Sequence, residues 1–314
     1  MALRTPLDEG EAHKLCEAYG LALESLEPLP AHGTVNSNFR LRASGRLWFL
    51  RLNEGKRDED VAGEVALVDR LRAHGLATPE IVRAQDGRAI VQAAGRPVTL
   101  FPWLDGREAH PDAKDPATVA LAGAALAQLH RAGWGMRAEE LPRNHYSLEA
   151  LSARLESFAD DLRVADIVPA LRYELDRARR RRTLPSGLIH QDLFPDNVLV
   201  DGGGALVAVL DFEQATWGMY VYDLAVAINA WCWTGSRIHK PAVDALLAAY
   251  EALRPLDHSE RTRLVDEARL GSARFAITRI TDVFLPEGVD PDLRKRKDFR
   301  EYVRRLEWWI NQSG

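Results

Sequence analysis

Three oxygen-bearing side chains, two of them in one octapeptide at 190–197, could support the transfer of a phosphoryl group. Asp192 and Asn197 lie five residues apart, and Asp211 follows fourteen residues after Asn197. Such a transfer needs a carboxylate that orients or receives the proton of the acceptor hydroxyl. It also needs oxygen ligands that hold Mg²⁺ against the phosphates. We therefore predict that Asp192 is the catalytic carboxylate and that Asn197 and Asp211 bind Mg²⁺.

The residues between the two halves of this motif predict a hairpin. Short apolar runs at 197–201 and 205–210 flank three consecutive glycines at 202–204, which is the pattern of two strands joined by a turn. Short motifs also arise by chance. A hairpin that carries Asp211 back beside Asp192 is, however, the order that the chemistry needs.

Composition and charge exclude several classes of protein. The 314 residues are 46% hydrophobic and 28% charged with a net charge of −5, so no global basic field favours nucleic acid or membrane. Cys16 and Cys232 lack the spacing of metal ligands, which disfavours disulfides and zinc and indicates the cytoplasm. No membrane span or signal peptide is predicted. We expect a small-molecule hydroxyl substrate and a monomer or homodimer.

The pattern of apolar residues predicts two lobes, 1–102 and 103–314, joined by a hinge at 102–106. The first lobe reads as a small antiparallel sheet with one or two helices, and the second as mostly helical. The fold class is therefore α+β, a bilobal protein-kinase-like fold. Strands are predicted at 39–42, 47–52, 80–84, 88–93 and 98–103, and helices at 7–19, 59–74, 116–131, 147–182, 221–232, 240–253, 259–283 and 298–311.

Such a fold needs a phosphate-covering loop, a cation on the following strand and a helical glutamate that holds the cation. The phosphate-covering loop is predicted at 33–38 and includes Asn36 and Ser37. Arg51 is the predicted cation, and Glu64 is the predicted helical glutamate. The loop contains one glycine, but Asn and Ser can line such a turn by local hydrogen bonds. Arg51 and Glu64 could each be a surface charge, but their order before the hairpin favours ATP binding. Arg binds phosphate bidentately, although it is not equivalent to the more usual Lys.

The residues around the motif disfavour a protein kinase. Glu213 rather than glycine follows the Asp211-Phe212 pair, and Gln191 rather than arginine follows His190. Eleven residues separate Asp211 from Asp223, which is too few for an activation segment that docks a peptide. A small hydroxyl substrate is the better interpretation.

Several stretches of the chain resemble a superfamily of small-molecule kinases, the aminoglycoside phosphotransferases and choline kinases, and the likeness covers roughly residues 30–285. The stretches shared with the superfamily are 190–197, 211–213 and 222–225, and those shared with kinase-fold homoserine kinases are 35–39, 228–232 and 271–279. Gln191 stands where the superfamily most often has glycine. The resemblance implies ATP- and Mg²⁺-dependent transfer to the side-chain hydroxyl of L-homoserine, a step toward threonine.

Further residues take roles in this interpretation. We predict that residues 190–197 form the catalytic loop, that His190 fixes this loop by hydrogen bonding and that Asp223 anchors its backbone. The backbone around Phe101 and Trp103 is expected to meet the adenine, because a hinge strand offers N–H and C=O groups.

An amino-acid substrate needs a cation for its carboxylate and oxygen groups for its ammonium. Arg274 and Arg279 are candidates for the first role, and Glu213 and Asn229 for the second. All four could equally serve in the packing of helices.

Three other functions stay open on the sequence. The chain could be a kinase of an aminoglycoside, choline or a sugar. It could be a non-catalytic nucleotide-binding scaffold, although Asp192, Asn197 and Asp211 are all present. A metal-dependent hydrolase that uses His190, Asp192, Asp211 and Glu213 would leave the first lobe without a purpose.

Overall fold

The computed structural model describes residues 5–29, 36–109 and 115–312. The chain forms two compact units. The first comprises Met1–Gly106 and Val207–Phe212, and the second comprises Arg107–Leu206 and Glu213–Gly314. The predicted boundary between residues 102 and 103 stays a prediction.

A five-stranded antiparallel sheet of order β1-β2-β3-β5-β4 forms the centre of the first unit. Its strands are β1 (Leu23–Pro28), β2 (Ser37–Ala43), β3 (Arg46–Leu52), β4 (Val91–Ala93) and β5 (Arg96–Pro102), with helices α1 (Glu9–Ala18) and α2 (Asp58–Ala73). Ser44 and Gly45 form the tight turn between β2 and β3, with φ angles of 50° and 71°, as two-residue hairpins require. Alternate residues of β2, Phe39, Leu41 and Ala43, are buried, because successive side chains of a strand point to opposite faces.

The prediction of two strands at 80–84 and 88–93 was correct only at Val91–Ala93. Residues 80–84 do not form a strand. They contact the sheet through an isolated hydrogen bond, in which Val82 donates its N–H to the carbonyl of Leu100 at 2.8 Å. Strand β1 was not predicted, since its residues are mostly exposed and show no regular alternation.

The second unit is mostly helical, as predicted. Its helices are α3 (Pro116–Ala132), α4 (Leu148–Glu156), α5 (Val168–Arg179), α6 (Tyr220–Trp231), α7 (Lys240–Glu251), α8 (His258–Arg279), α9 (Pro291–Arg296) and α10 (Phe299–Asn311). Its strands are β6 (Arg107–Glu108), β7 (Ser186–Ile189), β8 (Val198–Val200), β10 (Thr216–Met219), β11 (Trp233–Thr234) and β12 (Arg237–Ile238), whereas β9 (Leu206–Val209) begins in this unit and continues into the first.

Helix α3 begins where the sequence indicates. The carboxylate of Asp115 accepts the N–H of Thr118 at 3.0 Å, and Pro116 is the first helical residue. The long helical pattern at 147–182, in contrast, forms two helices, α4 and α5, and Pro169 lies in the first turn of the second. Proline suits that position because its missing N–H has no helical partner there.

Strand β7, which ends directly before the loop at 190–197, pairs antiparallel with β10, and Gly187 lies opposite Gly218. A Cβ atom on Gly187 would lie 1.9 Å from the hydroxyl of Tyr220, and one on Gly218 would lie 2.1 Å from Cδ1 of Ile189. A side chain at either position would therefore force the side chain of Tyr220 or of Ile189 to move.

The predicted chain reversal after the catalytic loop is present. Asp201 donates its N–H to the carbonyl of Ala205 at 3.0 Å. Its carboxylate accepts the N–H groups of Gly203 and Ala205 at 2.8 and 2.9 Å. Strands β8 and β9 flank this turn.

Across the described ranges, helices long and apolar enough to cross a membrane are absent.

Candidate active site

The catalytic loop begins where β7 ends, and a buried carboxylate from α6 anchors it. Asp223 is fully buried. Its two oxygens accept the N–H groups of His190 and Gln191, each at 2.7 Å. Hydrogen bonds to an ionised acceptor are among the stronger ones in proteins. The prediction that Asp223 anchors the loop backbone is confirmed.

A buried histidine supports Asp223 from α3. His130 Nε2 lies 3.0 Å from Asp223 Oδ2, and Nδ1 lies 2.7 Å from the hydroxyl of Tyr250. Burial lowers the pKa of His130, although Asp223 opposes this; Arg254 lowers it further and Glu260 raises it. Burial alone would raise the pKa of Asp223, but the hydrogen bond from His130 and the other nearby donors hold that pKa below its usual range. We infer a neutral His130 that donates to an ionised Asp223.

Asp192 is partly buried within the loop. Its N–H lies 3.3 Å from Nδ1 of His190, which agrees with the predicted loop-fixing role of that histidine. Gln214 donates a hydrogen bond from Nε2 to Asp192 Oδ2 at 3.0 Å. Burial raises the pKa of the Asp192 carboxyl to about 6, while the positive charges of Arg274 and Lys297 oppose the rise. A carboxylate with such a pKa suits proton transfer near neutral pH.

Asn197 ends a short 3-10 turn, Pro195–Asn197, in the same loop. Its amide nitrogen donates to the carbonyl of Asp192 at 2.8 Å. The amide oxygen is therefore the end that can face a cation, and oxygen is the donor that Mg²⁺ prefers. Trp231 adds a further anchor by donating its indole N–H to the carbonyl of Leu193 at 2.8 Å.

Charged side chains of the first unit surround Arg51 on β3. Its Nη1 lies 3.7 Å from Glu64 Oε1 and 3.8 Å from Asp211 Oδ1. Lys56 contacts the other oxygen of Glu64 at 3.0 Å. Asp211 adopts φ of 62°, a left-handed conformation that is costly for a residue with a side chain. The structure thus brings Arg51, Glu64 and Asp211 together, with Lys56 as an addition that sequence reasoning missed.

The described part of the predicted phosphate loop is held by Glu54. The Ser37 hydroxyl donates to Glu54 Oε1 at 2.7 Å, and Asn36 Oδ1 accepts the N–H of Glu54 at 3.2 Å. Both loop residues are buried. The predicted loop residues 33–35 lie outside the described residues.

Phe101 and Trp103 lie at and just beyond the end of β5. Phe101 stands opposite Phe49 of β3, and their ring centroids are 6.1 Å apart. Trp103 donates its N–H to the carbonyl of Leu47 at 3.2 Å, and the guanidinium of Arg40 lies 4.9 Å from the Trp103 ring. Adenine binding by this segment stays a prediction.

The four residues predicted to bind an amino-acid substrate have different surroundings. Arg274 lies beside the catalytic loop and donates to the carbonyl of Gln191 at 3.0 Å. Glu213 is close enough to raise the pKa of Asp192. Arg279 donates to the carbonyl of Asp298 at 3.0 Å and pairs with Glu301 at 2.8 Å.

The fourth residue, Asn229, is fully buried in helix packing. Its amide nitrogen donates to the carbonyl of Ala268 at 2.9 Å and the hydroxyl of Ser272 at 3.1 Å. Its amide oxygen accepts from the indole of Trp309 at 2.8 Å. The substrate roles of all four residues stay predictions.

Besides Lys56, three residues near the catalytic loop were not predicted from the sequence. His130 looked like an ordinary residue in the last turn of a helix, Gln214 follows the motif, and Lys297 lies at the C-terminal end of α9. Gln214 could have been predicted from the sequence, since it lies three residues after Asp211. Tertiary packing alone brings His130 to Asp223 and Lys297 within electrostatic range of Asp192.

Groups of three or more His, Cys, Asp or Glu side chains that could hold a metal ion are absent from the described parts of the chain. A metal held by one carboxylate and one amide, with phosphates as its other ligands, does not need such a group. Asn197 and Asp211 each carry an oxygen donor of the kind that Mg²⁺ prefers, and their binding of the metal stays a prediction.

Comparisons with known proteins place these features in a family. A family model described as the phosphotransferase enzyme family matches residues 25–256. The chain is 36% identical to a homoserine kinase of Methylobacterium radiotolerans, over 98% of this chain and 95% of that protein. It is 35% identical to a homoserine kinase of Gluconacetobacter diazotrophicus, over 98% and 96%.

Solved structures share the fold at low sequence identity. Spectinomycin phosphotransferase, in complex with ADP and spectinomycin, has a TM-score of 0.73 and 13% identity, over 98% of this chain and 99% of that chain. The choline kinase of Streptococcus pneumoniae has a TM-score of 0.69 and 14% identity, over 96% and 99%. The predicted α+β kinase-like fold is confirmed. The chain belongs to the phosphotransferase enzyme family.

Proposed function

We propose that the protein is an ATP- and Mg²⁺-dependent kinase that transfers the γ-phosphoryl group of ATP to the side-chain hydroxyl of L-homoserine. The reaction type is supported above all by the Asp192 carboxylate, which Gln214 holds at 3.0 Å on a loop anchored by Asp223. The choice of acceptor is supported by relatives named homoserine kinase that match nearly the whole chain.

Asp192 is the residue that acts on the acceptor in this proposal. Its carboxylate accepts a hydrogen bond from the acceptor hydroxyl and thereby orients the oxygen toward the γ-phosphorus. As the new O–P bond forms, the bond from phosphorus to the β,γ-bridging oxygen breaks, and ADP leaves with that electron pair. The hydroxyl proton passes to Asp192, whose pKa of about 6 lets it both accept and release a proton near neutral pH.

The other predicted residues bind the nucleotide and its metal. Mg²⁺, when bound, neutralises the charge that develops on the phosphates, and the Asn197 amide oxygen and the Asp211 carboxylate would hold it. Arg51 contributes positive charge for the phosphates, and Glu64 limits where its guanidinium can lie, since the two are 3.7 Å apart. The segment around Phe101 and Trp103 would meet the adenine.

Lys297 is the cation that we assign to the carboxylate of homoserine. It is partly buried and lies within electrostatic range of Asp192. Within residues 5–29, 36–109 and 115–312, no hydrogen bond or ion pair is found for its ammonium group, whereas Arg274 and Arg279 each contact other residues. A substrate carboxylate that loses water on binding needs such a partner. Glu213 is the corresponding candidate for the ammonium.

A screen of acceptors tests the proposed function. ADP release would be measured with saturating MgATP and L-homoserine, choline, an aminoglycoside or a sugar, with the Asp192→Asn variant as the background. We expect L-homoserine to give the highest kcat/KM. If L-homoserine stays at background while another alcohol is phosphorylated, the acceptor is wrong and the kinase reaction stands. If no acceptor exceeds background, the kinase proposal fails as well.

The role of Lys297 has a separate test that compares L-homoserine with 3-aminopropan-1-ol, which lacks the carboxylate. We expect Lys297→Met to raise KM for homoserine and to leave KM for ATP nearly unchanged. The preference for homoserine over the amino alcohol should fall by about tenfold or more, the value of one charge-assisted hydrogen bond. Lys295→Met, an exposed neighbour on α9, is the matched control. An unchanged preference in Lys297→Met would exclude this contact.

A further inference from the structure

Gln214 lies between a buried guanidinium and the catalytic carboxylate. Its Oε1 accepts a hydrogen bond from Nη2 of Arg274, and its Nε2 donates to Oδ2 of Asp192 at 3.0 Å. A guanidinium only donates hydrogen bonds and an ionised carboxylate only accepts them. The amide oxygen of Gln214 must therefore face Arg274 and its nitrogen must face Asp192. The chemistry of the two neighbours alone decides the orientation of this amide.

Arg274 is itself held in one position. It is 1% exposed. Its Nη1 donates to the carbonyl of Gln191 at 3.0 Å, and the centre of its guanidinium lies 4.1 Å from the ring centroid of Tyr146 and 3.9 Å from that of Phe275. Neither hydrogen-bond acceptor found for it in the described part of the chain is a carboxylate. A buried cation needs a compensating charge, and Gln214 links it to the charge of Asp192.

Gln191 contacts the backbone of Gln214, whereas Arg274 contacts its side chain. Its side-chain nitrogen donates to the carbonyl of Gln214 and to Oδ1 of Asn144, each at 3.2 Å. Its backbone adopts φ of 66°, a conformation that glycine adopts far more readily. The side chain at this strained position makes a specific contact with Gln214. The backbone of Gln214 is thus held by Gln191, and its side chain is held by Arg274.

We propose that Gln214 and Arg274 are positioning residues that hold Oδ2 of Asp192 and thereby aim Oδ1 at the acceptor hydroxyl. Gln214 acts directly on the carboxylate, and Arg274 acts through Gln214. The inference rests on the proposed role of Asp192 in phosphoryl transfer and is independent of which alcohol is the acceptor. It assigns to Arg274 a role different from direct contact with a substrate carboxylate.

The two roles of Arg274 predict different kinetics. A residue that orients Asp192 affects the reacting geometry, so its loss lowers kcat and leaves KM for both substrates nearly unchanged. A residue that binds the acceptor carboxylate raises KM for the acceptor. Positioning through Gln214 also predicts that the effects of Gln214 and Arg274 do not add, because removal of either breaks the same chain of contacts.

The experiment measures kcat and both KM values for Gln214→Met, Arg274→Met and the double variant, with whichever acceptor turns over. Methionine is close in length to glutamine and shorter than arginine, and it cannot form the hydrogen bonds of either. We expect each single variant to lose about 10- to 100-fold in kcat, as for one hydrogen bond to a charged group. Both KM values should stay within about twofold, and the double variant should be no slower than the slower single variant.

Two further variants separate positioning from stability. Arg274→Lys keeps a donor for Gln214 and should recover part of the lost kcat. Arg269→Met removes another buried arginine of α8, one that pairs with Glu174, and should lower the unfolding temperature while leaving kcat unchanged.

Two results would overturn the inference. One is a folded Gln214→Met protein with wild-type kcat. The other is an Arg274→Met protein with a raised KM for the acceptor and a loss that multiplies with that of Gln214→Met, which would assign Arg274 to the substrate. Both results require an acceptor that the protein phosphorylates. The acceptor screen therefore detects failure of the proposed function before these variants are measured.

Discussion

The catalytic loop of the second unit and the charged residues around Arg51 in the first unit are held in different ways. In the second unit, buried groups fix the catalytic loop through short hydrogen bonds, such as the two of 2.7 Å that Asp223 accepts. In the first unit, Arg51 lies 3.7 and 3.8 Å from the carboxylates of Glu64 and Asp211, which is longer than a hydrogen bond. Buried hydrogen bonds therefore set the geometry of the catalytic loop, whereas the opposite charges of Glu64 and Asp211 surround Arg51. Substitutions that release the catalytic loop should affect mainly kcat, and those of the charged residues around Arg51 should affect mainly nucleotide binding.

Both regions contain a residue in a costly backbone conformation. Outside glycine, positive φ angles in the described part of the chain occur at Gln191 and Asp211 and at two hairpin turns, Ser44 and Ala94. Turns need such angles for geometric reasons. Gln191 and Asp211 are instead next to or within the predicted machinery, where strain is commonly found.

The largest effect is expected for Asp192→Asn. The asparagine can keep the contact with Gln214 through its amide oxygen, but it cannot take the proton of the acceptor. We expect kcat to fall by ~10²–10⁴-fold while the fold and ATP affinity are retained. Steady-state kinetics and nucleotide titration measure both quantities. Near-wild-type turnover would contradict the assignment of Asp192.

Asp211→Ala tests the first unit. Mg²⁺ prefers carboxylate oxygens, so the variant should lose affinity for MgATP far more than for metal-free ATP. Metal-free ATP should bind at least as well as in the wild type, because a negative charge near Arg51 is removed. Calorimetry with and without Mg²⁺ makes the comparison. Equal losses under both conditions would exclude a metal-binding role.

Substitutions of Arg51 should separate charge from geometry. Arg51→Met removes the charge and should raise KM for ATP by about 10- to 100-fold, the range for a hydrogen bond to a charged group. Arg51→Lys keeps the charge but not the bidentate geometry, so its KM should lie between those of Arg51→Met and the wild type. In both variants the fall in kcat should be smaller than the rise in KM. A variant with a lower kcat and a normal KM would remove the distinction between the two units.

The smallest effect is a change in the pH dependence of stability at His130. Because the pKa of folded His130 is lowered from 6.5, the unfolded chain takes up a proton below pH 6.5 that the folded protein does not. The stability contributed by His130 is therefore complete above that pH and declines as the pH falls toward its folded pKa. His130→Gln lacks this titration. The stability advantage of the wild type should shrink by up to about 1.4 kcal/mol per pH unit, measured by urea unfolding between about pH 7.5 and 5.5. An advantage that is constant or grows on acidification would show that folded His130 is not neutral.

Local signals in the sequence were sufficient for most helices and for the central hairpin of the sheet. Asp115 and Pro116 mark the start of α3, and the spacing of Val61, Val65 and Val68 marks α2. Such features act within a few residues along the chain, so they are visible without the fold. Elements that depend on distant partners were missed. Thr216 of β10 pairs with Ile189 of β7, and neither short run is distinctive alone.

The same limit applied to the candidate site. Asp192, Asn197 and Asp211 follow a motif with fixed spacing, and the loop-anchoring role of Asp223 was predicted from its place after that motif. His130 lies 93 residues before Asp223, and Arg274 meets the loop across 83 residues. Side-chain contacts of that kind are set by helix packing and leave no local pattern in the sequence.

Direct identification of the product tests the central claim most directly. Purified protein would be incubated with MgATP and L-homoserine, and the products analysed by phosphorus NMR and mass spectrometry, with Asp192→Asn as the control. We expect O-phospho-L-homoserine in a one-to-one ratio with ADP from the wild-type protein and no more than a trace from the variant. ADP without a phosphorylated amino acid, or equal product from the Asp192→Asn protein, would contradict the account.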